Sequence, residues 1–321
     1  MDGLNIIVLD LEWNQSPYGK GTSKKGMPFE IVEIGAVKLD ADGNEIGRFS
    51  EKVCPRVYRR LHHVTAEILN VTMEELRKAD CFPDVAERFF EWCGRDYRFA
   101  TWGVMDLTEL QRNCDYFSVS TTLEKPLFYY DVQKIYSIYS DEKCQTLESV
   151  IEKLQIAKNE PFHQALSDAV YTAKIMKCLP KDILDTYISV DYHQNPKNHK
   201  EEIVLKYPKS SLFVSMEYEN KETAMLDRKL KSLPCVICGR KIKKKIHWFS
   251  DSSSHFYCLG YCLEDGYLMG KINLKKTLEG KVFGVKNICL VDEERAERLK
   301  EKKEQLRKRR REKRKQSRSR S

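Results

Sequence analysis

The first residues able to do chemistry stand near the N-terminus, in Val8-Leu9-Asp10-Leu11-Glu12. An extended strand alternates its side chains between two faces, so Asp10 and Glu12 project to the same side. Two carboxylates placed next to each other repel unless a cation lies between them, and hard, oxygen-preferring Mg²⁺ or Mn²⁺ is the natural candidate. Two further stretches add to the pair. Thr101-Trp102-Gly103-Val104-Met105-Asp106 puts a carboxylate just beyond an expected strand. His163-Gln164-Ala165-Leu166-Ser167-Asp168 spaces a histidine and an aspartate five apart on an expected helix, so His163 can face a substrate while Asp168 reaches a metal. Singly, each has an ordinary reading: a solvated strand end, a capping histidine, a solvated helix aspartate. Read together in this order, they point to one acidic centre.

A second constellation lies in the C-terminal third. Cys235-Val-Ile-Cys238 and Cys258-Leu-Gly-Tyr-Cys262 supply two thiol pairs, the second expected at a helix start. Four thiolates make the closed tetrahedral set of a structural Zn²⁺ site, with His247 and His255 as substitute ligands. Lys241, Lys243, Lys244 and Lys245 stand beside Trp248, Phe249, Phe256 and Tyr257. That mixture reads either as a stacking surface for single-stranded nucleic acid or as a small core with solvated lysines. The chain has eleven cysteines in all, an odd number that fits reduced thiols better than a disulfide framework.

Apolar patterning outlines the elements that must hold these residues. Strands are expected over Leu4–Leu9, Glu30–Leu39 and Glu45–Val53, an antiparallel meander opening a mixed sheet. Short strands follow at Arg98–Trp102 and Leu127–Tyr130, and helices over 73–79, 85–93, 107–114, 147–154 and 163–178. The expected organisation is an α/β catalytic domain over 1–185, a linker or peripheral extension over 186–232, a zinc-binding module over 233–290 and a basic tail over 291–321. The tail carries the charge. The chain's formal net charge is +8, and residues 292–321 hold 15 Lys/Arg against 7 Asp/Glu, which accounts for all of it. Within it, Arg307–Lys315 has eight basic residues and one acid, readable as an RNA-binding segment, a solvated tail or a nuclear signal. The loop Gln15–Pro28, with Gly19, Gly21, Gly26, Lys20, Lys24 and Lys25, is either a solvated connection or a guide for a phosphate backbone. No apolar run approaches the roughly 18 residues a membrane span needs. No basic residue opens Met1–Trp13, which argues against a signal peptide, so a cytoplasmic location is expected, with no membrane partner.

Asp10-x-Glu12, Asp106 and His163-x4-Asp168, in this order and on these elements, resemble the pattern of the DEDDh 3′–5′ exonucleases, the superfamily of RNase T, oligoribonuclease and the polymerase III proofreading subunit. Trp102-Gly103 before the third acid and Ala169 after the last are most similar to its stand-alone, often RNA-processing branch. The resemblance covers about residues 4–180 and implies an RNase H-like fold, a mixed sheet flanked by helices. It also implies roles. Asp10, Glu12, Asp106 and Asp168 would hold two Mg²⁺ or Mn²⁺ ions about 4 Å apart. His163 would act as general base, and the products would be 5′-mononucleotides from the 3′ ends of single-stranded RNA or DNA, RNA favoured. The rivals are the same chemistry on DNA, in repair or proofreading, and an inactive adaptor binding nucleic acid through its zinc module and tail. Five active-site residues in place speak against the adaptor. Two departures bear on substrate preference. Trp13-Asn14 stands where relatives commonly place Thr, and Leu69-Asn70-Val71-Thr72 replaces the usual Thr-Gly-Ile-Thr.

Overall fold

Along β1 (Asn5–Gln15) the odd residues Ile7, Leu9 and Leu11 are buried in one apolar cluster, and the even residues Ile6 and Val8 in another. A strand that is apolar on both sides belongs in the middle of a sheet covered on both faces. The computed structural model describes residues 4–69 and 71–318, which divide into two units after Gln194.

In the first unit β2 (Phe29–Leu39) and β3 (Glu45–Lys52) form the expected antiparallel meander with β1. β4 (Tyr97–Thr101) and β5 (Leu127–Asp131) run parallel to β1, and β6 (Ser189–Asp191) closes the far edge antiparallel to β5. The strand order is β3-β2-β1-β4-β5-β6. Two short helices, α1 (His63–Leu69) and α2 (Met73–Leu76), follow β3. α3 (Phe82–Cys93) and α4 (Met105–Phe117) pack Phe82, Val85, Phe89, Leu107 and Leu110 against the odd face of β1. α5 (Val132–Tyr139), α6 (Leu147–Lys153), α7 (Ala165–Lys177) and α8 (Lys181–Thr186) cover the other face. This is the expected α/β architecture.

Three local expectations change. β1 continues to Gln15, so the first two acids sit inside the strand rather than at its end. α2 ends at Leu76, three residues short of the expected stop. α7 begins at Ala165, which leaves His163 outside the helix.

The second unit is one antiparallel sheet of six strands: β7 (Ile203–Tyr207), β8 (Ser210–Tyr218), β9 (Lys243–Ser250), β10 (His255–Cys262), β11 (Gly266–Lys276) and β12 (Val282–Val291). Their order is β7-β8-β12-β11-β10-β9, with the short helix α9 (Lys221–Ala224) after β8. The expected linker over 186–232 therefore supplies β6 to the first sheet and β7 and β8 to the second. Alternate residues of β7 face solvent, and that is why the stretch looked irregular and polar. Nor do residues 233–290 stand alone, because β12 pairs with β8. The segment leading into β9 lies across the sheet over three glycines. A Cβ at Gly284 would meet Leu230 at 2.7 Å, one at Gly270 would meet Leu233 at 3.1 Å, and one at Gly260 would meet Ile242 at 2.6 Å. Lys286 fastens this segment, its buried ammonium donating to the carbonyls of Lys229 and Ser232 and to Ser232 Oγ.

The expected tail is largely a helix, α10 (Glu293–Arg318), whose Ala296 and Leu299 are buried against Ile246 and Leu259 of the sheet. Residues 319–321, and the side chains beyond Glu312, lie outside the described residues. No helix among the described residues is long and apolar enough to cross a membrane.

Candidate active site

The even face of β1 is apolar at Ile6 and Val8 and then carries Asp10, Glu12 and Asn14. Asp10 pairs with Gly35 of β2, and Glu12 with Glu33. One strand thus begins as core and ends as a carboxylate array, which is why the motif reads as Val-Leu-Asp-Leu-Glu. Asp106 enters from the first turn of α4, where its Oδ1 accepts the Leu11 N–H at 3.2 Å. This bond ties the third acid to the backbone between the first two. Asp168 enters from the first turn of α7, and its Oδ2 accepts the His163 N–H at 3.2 Å.

His163 is a correction to the helical reading. Its φ is +63°, in the left-handed region, and the helix starts only after Gln164 in extended conformation. The backbone turns there because Asp168 captures the His163 amide, a side-chain bond to the main chain just before the helix. The outcome still suits catalysis. The His163 ring is exposed, and its nitrogen lies within 4.8 Å of carboxylate oxygens of both Glu12 and Asp168.

The electrostatics of this cluster are strained in one direction. Burial raises the Asp10 carboxyl well above its ordinary range, helped by Asp106, Glu12 and Asp168. Burial, with Asp168 and Glu33 nearby, pushes Glu12 up to about 8. Burial raises Asp106 to about 7 and Asp168 to about 6, the amides of Leu11 and His163 offsetting part of the rise. Like charges crowded in a poorly solvated site hold protons until a cation replaces them. Asp168 Oδ1 is buried without a hydrogen-bond partner. A carboxylate oxygen left unpaired among other carboxylates is what a resident divalent cation would satisfy, so the donor set fits Mg²⁺ or Mn²⁺.

Three participants were not read from the sequence. Glu33 is a fifth carboxyl, raised by burial, which accepts the Ala165 N–H at the start of α7. An acid between Val32 and Ile34 on a buried strand is the same signal that marked Asp10, and could have been used. Gly35 has no side chain because α7 begins directly on it: a Cβ there would lie 2.0 Å from Leu166 N and 2.1 Å from the Ala165 carbonyl carbon. Asn14, the departure after the first acids, is fully buried. Its Nδ2 donates to the Tyr58 and Arg60 carbonyls at 3.0 and 2.9 Å, and its Oδ1 accepts the His62 N–H at 2.9 Å. It therefore pins the 58–62 segment beside the strand that carries the acids. The Gln15–Pro28 loop is held as well, Tyr58 OH donating to the Met27 carbonyl and accepting the Lys24 N–H, with Lys24 and Lys25 exposed.

In the second unit Cys235, Cys238 and Cys262 come together, but with Asp265 rather than Cys258. Cys258 and Cys262 lie on a strand, not at a helix start. Residues four apart on a strand are separated by about 13 Å, so the two thiols cannot share an ion. His247 and His255 are outside the cluster. Of the four aromatics, Trp248 and Phe256 pack in the core, while Phe249 and Tyr257 lie on the face that α10 covers, with the Lys302 ammonium 4.0 Å from the Tyr257 ring centre.

A helix-flanked mixed sheet with acids converging from its central strand and two helix starts defines a nuclease-type protein. The family model described as Exonuclease matches residues 7–176, more than half of the chain, and the chain belongs to that RNase T exonuclease family. The 3′-5′ exoribonuclease 1 of Rattus norvegicus is 26% identical over 206 residues, 59% of this chain and 56% of the relative. That of Mus musculus is 27% identical over 188 residues, 53% and 51% of the two chains. The chain thus spans about half the length of the curated relatives it matches. The nuclease domain of 3′hExo, a DEDDh family member solved bound to rAMP, has the same fold, with a TM-score of 0.50 at 19% identity over 59% of this chain and 97% of that one.

Proposed function

We propose that the chain is a divalent-metal-dependent 3′–5′ exonuclease that removes 5′-mononucleotides from the 3′ end of single-stranded RNA. The single observation that carries this reading is the convergence of Asp10, Glu12, Asp106 and Asp168 beside an exposed His163. Two Mg²⁺ or Mn²⁺ ions held by the four carboxylates would supply positive charge to a phosphodiester transition state and acidify water. The protein's own residues do the rest. Asp106 and Asp168, each tied to a backbone amide, keep their orientation in advance of substrate binding. His163 accepts at a ring nitrogen the proton released by the attacking water, at an edge open to solvent. The exposed Lys24 and Lys25 flank β1 and receive backbone phosphates of the strand.

The preference for RNA rests on the likeness to proteins named exoribonucleases. In the same reading the second unit carries a structural Zn²⁺, and the basic end of α10 holds the distal part of a long strand. The test is incubation of the full chain with end-labelled RNA and DNA oligomers carrying free or phosphorylated 3′ ends, with Mg²⁺, Mn²⁺ or chelator. The expected result is a ladder of shortened RNA and 5′-mononucleotides, absent with chelator, with a blocked 3′ end or in Asp10→Ala. Cutting of a circular strand, or turnover by Asp10→Ala, overturns the assignment; faster decay of DNA overturns the RNA preference alone.

A further inference from the structure

We propose that the zinc site of the second unit is formed by Cys235, Cys238, Cys262 and Asp265, with Cys258 a core thiol that takes no part. The inference rests on the reading that this unit binds zinc and specifies how. Three thiol sulfurs and one carboxylate oxygen lie within 4.8 Å of one another. Cys238 Sγ is 3.7 Å from Cys262 Sγ, while Asp265 Oδ2 is 3.1 Å from Cys235 Sγ and 3.2 Å from Cys262 Sγ. Zinc bonds of about 2.3 Å to sulfur place two tetrahedral ligands about 3.7 Å apart, which is the spacing between these sulfurs. The carboxylate would draw back by a few tenths of an ångström to seat an ion.

The backbone around the cluster is a tight turn. The Cys235 sulfur accepts the N–H groups of Ile237 and Cys238, and the Cys238 sulfur accepts that of Arg240. The chain then reverses at Gly239, whose φ is +72°, and returns so that Cys235 N–H donates to the Arg240 carbonyl at 2.8 Å. The other two ligands come from the β10–β11 hairpin: Cys262 ends β10, where it pairs with Gly266, and Asp265 sits in the turn between them. An ion here would join the turn preceding β9 to that hairpin, closing a corner packed by a small cluster that includes Leu233, Leu268 and Ile288.

Cys258 has a different job. It pairs with Gly270 on the neighbouring strand and is fully buried, and a Cβ at Gly270 would lie 2.7 Å from its sulfur and 2.8 Å from Trp248. Its thiol fills the space that the glycine leaves. Three soft thiolates and one hard oxygen in a closed set suit Zn²⁺ better than Mg²⁺ or Ca²⁺.

Zinc-edge X-ray absorption on the full unmodified chain, with metal content measured on the same sample, tests this without relying on any variant's folding. The expected result is one zinc per chain with three sulfurs at about 2.3 Å and one oxygen at about 2.0 Å. Cys258→Ala should keep its zinc, and Asp265→Ala should lose it to a chelator at least about tenfold faster, because an open position exposes the ion. Four sulfurs around the zinc, or metal lost in Cys258→Ala and held normally in Asp265→Ala, overturns the ligand set while leaving a zinc unit. Protein purified without zinc that takes none up from solution overturns both.

Discussion

At the level of single residues, the acidic centre was legible because carboxylates inside apolar strands are conspicuous. The same logic marked Asp10 and Glu12 and would have marked Glu33. His163 was legible as a chemical group but not as a conformation, since nothing in its spacing announces a left-handed residue. Its replacement by Ala should slow the chemical step by roughly 10²–10⁴-fold, the usual weight of a general base. Single-turnover rates measured across a Mg²⁺ titration check this, and an unchanged midpoint with a lowered plateau is expected. A shifted midpoint with a normal plateau would make His163 a ligand instead.

The raised carboxyls also set a pH dependence whose sign can be worked out. Glu12 and Asp106, held at about 8 and 7, keep protons in the folded chain that the unfolded chain releases in the ordinary carboxylate range. Between that range and about pH 8 the folded state therefore binds more protons, and ion-free stability falls as pH rises. A divalent cation needs the deprotonated acids, so its stabilising effect grows over the same window. The melting temperature gained on adding Mg²⁺ or Mn²⁺ should be larger at pH 8 than at pH 5.5. Comparing each pH with and without the ion cancels titrating groups elsewhere, Lys286 among them, which burial lowers to about 8. A gain independent of pH would mean that the ion does not displace protons from this cluster.

Among the elements, the first sheet was largely readable, since β1 to β5 and the long helices follow apolar periodicity. The second sheet was not. β7 is short and half exposed and pairs only with β8, whose other partner β12 lies some 70 residues further along, a contact no local pattern encodes. The cysteine spacing misled for a related reason: it fits four ligands on two turns, whereas a strand carries Cys258 away from Cys262. What positions the active site at this scale is the seating of α7 on Gly35. Gly35→Ala would drive a methyl into backbone atoms of Ala165 and Leu166, so the start of α7 must retreat by about 1 Å, a displacement of the size that costs about 10²-fold in rate. Turnover of a short oligomer should fall accordingly while the circular dichroism spectrum stays native. Gly47→Ala is the control, because its nearest neighbour, Trp92, stands 3.6 Å away. Equal activity of the two variants would show that the α7 seat has slack.

For the molecule as a whole, the charge arithmetic acquires a place. The excess positive charge belongs to α10, whose first turns are packed and whose later part is basic. Deleting everything from residue 292 would strip Ala296 and Leu299 from the sheet, so the informative truncation removes 307–321, with ten Lys/Arg and one acid. Affinity for a long single strand should weaken, and the slope of log affinity against log salt should flatten by about 0.7 per lost phosphate contact. Cleavage of a dinucleotide should stay unchanged. Equal binding of the long strand at low salt would leave the basic end without a role in substrate capture.

The break in register between β1 and β2 has a consequence for how chain length is tolerated. Glu12 faces Glu33 but Trp13 faces Ile31, so Val32 is a supernumerary residue that β1 never counts. It acts as a phase shifter: Glu30 and Glu33, three apart, share a face, whereas an unbroken strand would put them on opposite faces. Glu30 on that face takes the amides of Arg56, Val57 and Tyr58. A chain lacking Val32 would keep every other β2 side chain in phase, losing the bulge and the Val71 and Leu76 contacts. A chain lacking Ile34 instead could absorb the bulge only by turning Glu33 to the face of Leu11 and Val32 to that of Glu12. The deletion at Val32 removes a residue that has no partner on β1 and so leaves every remaining β1–β2 pair as it is.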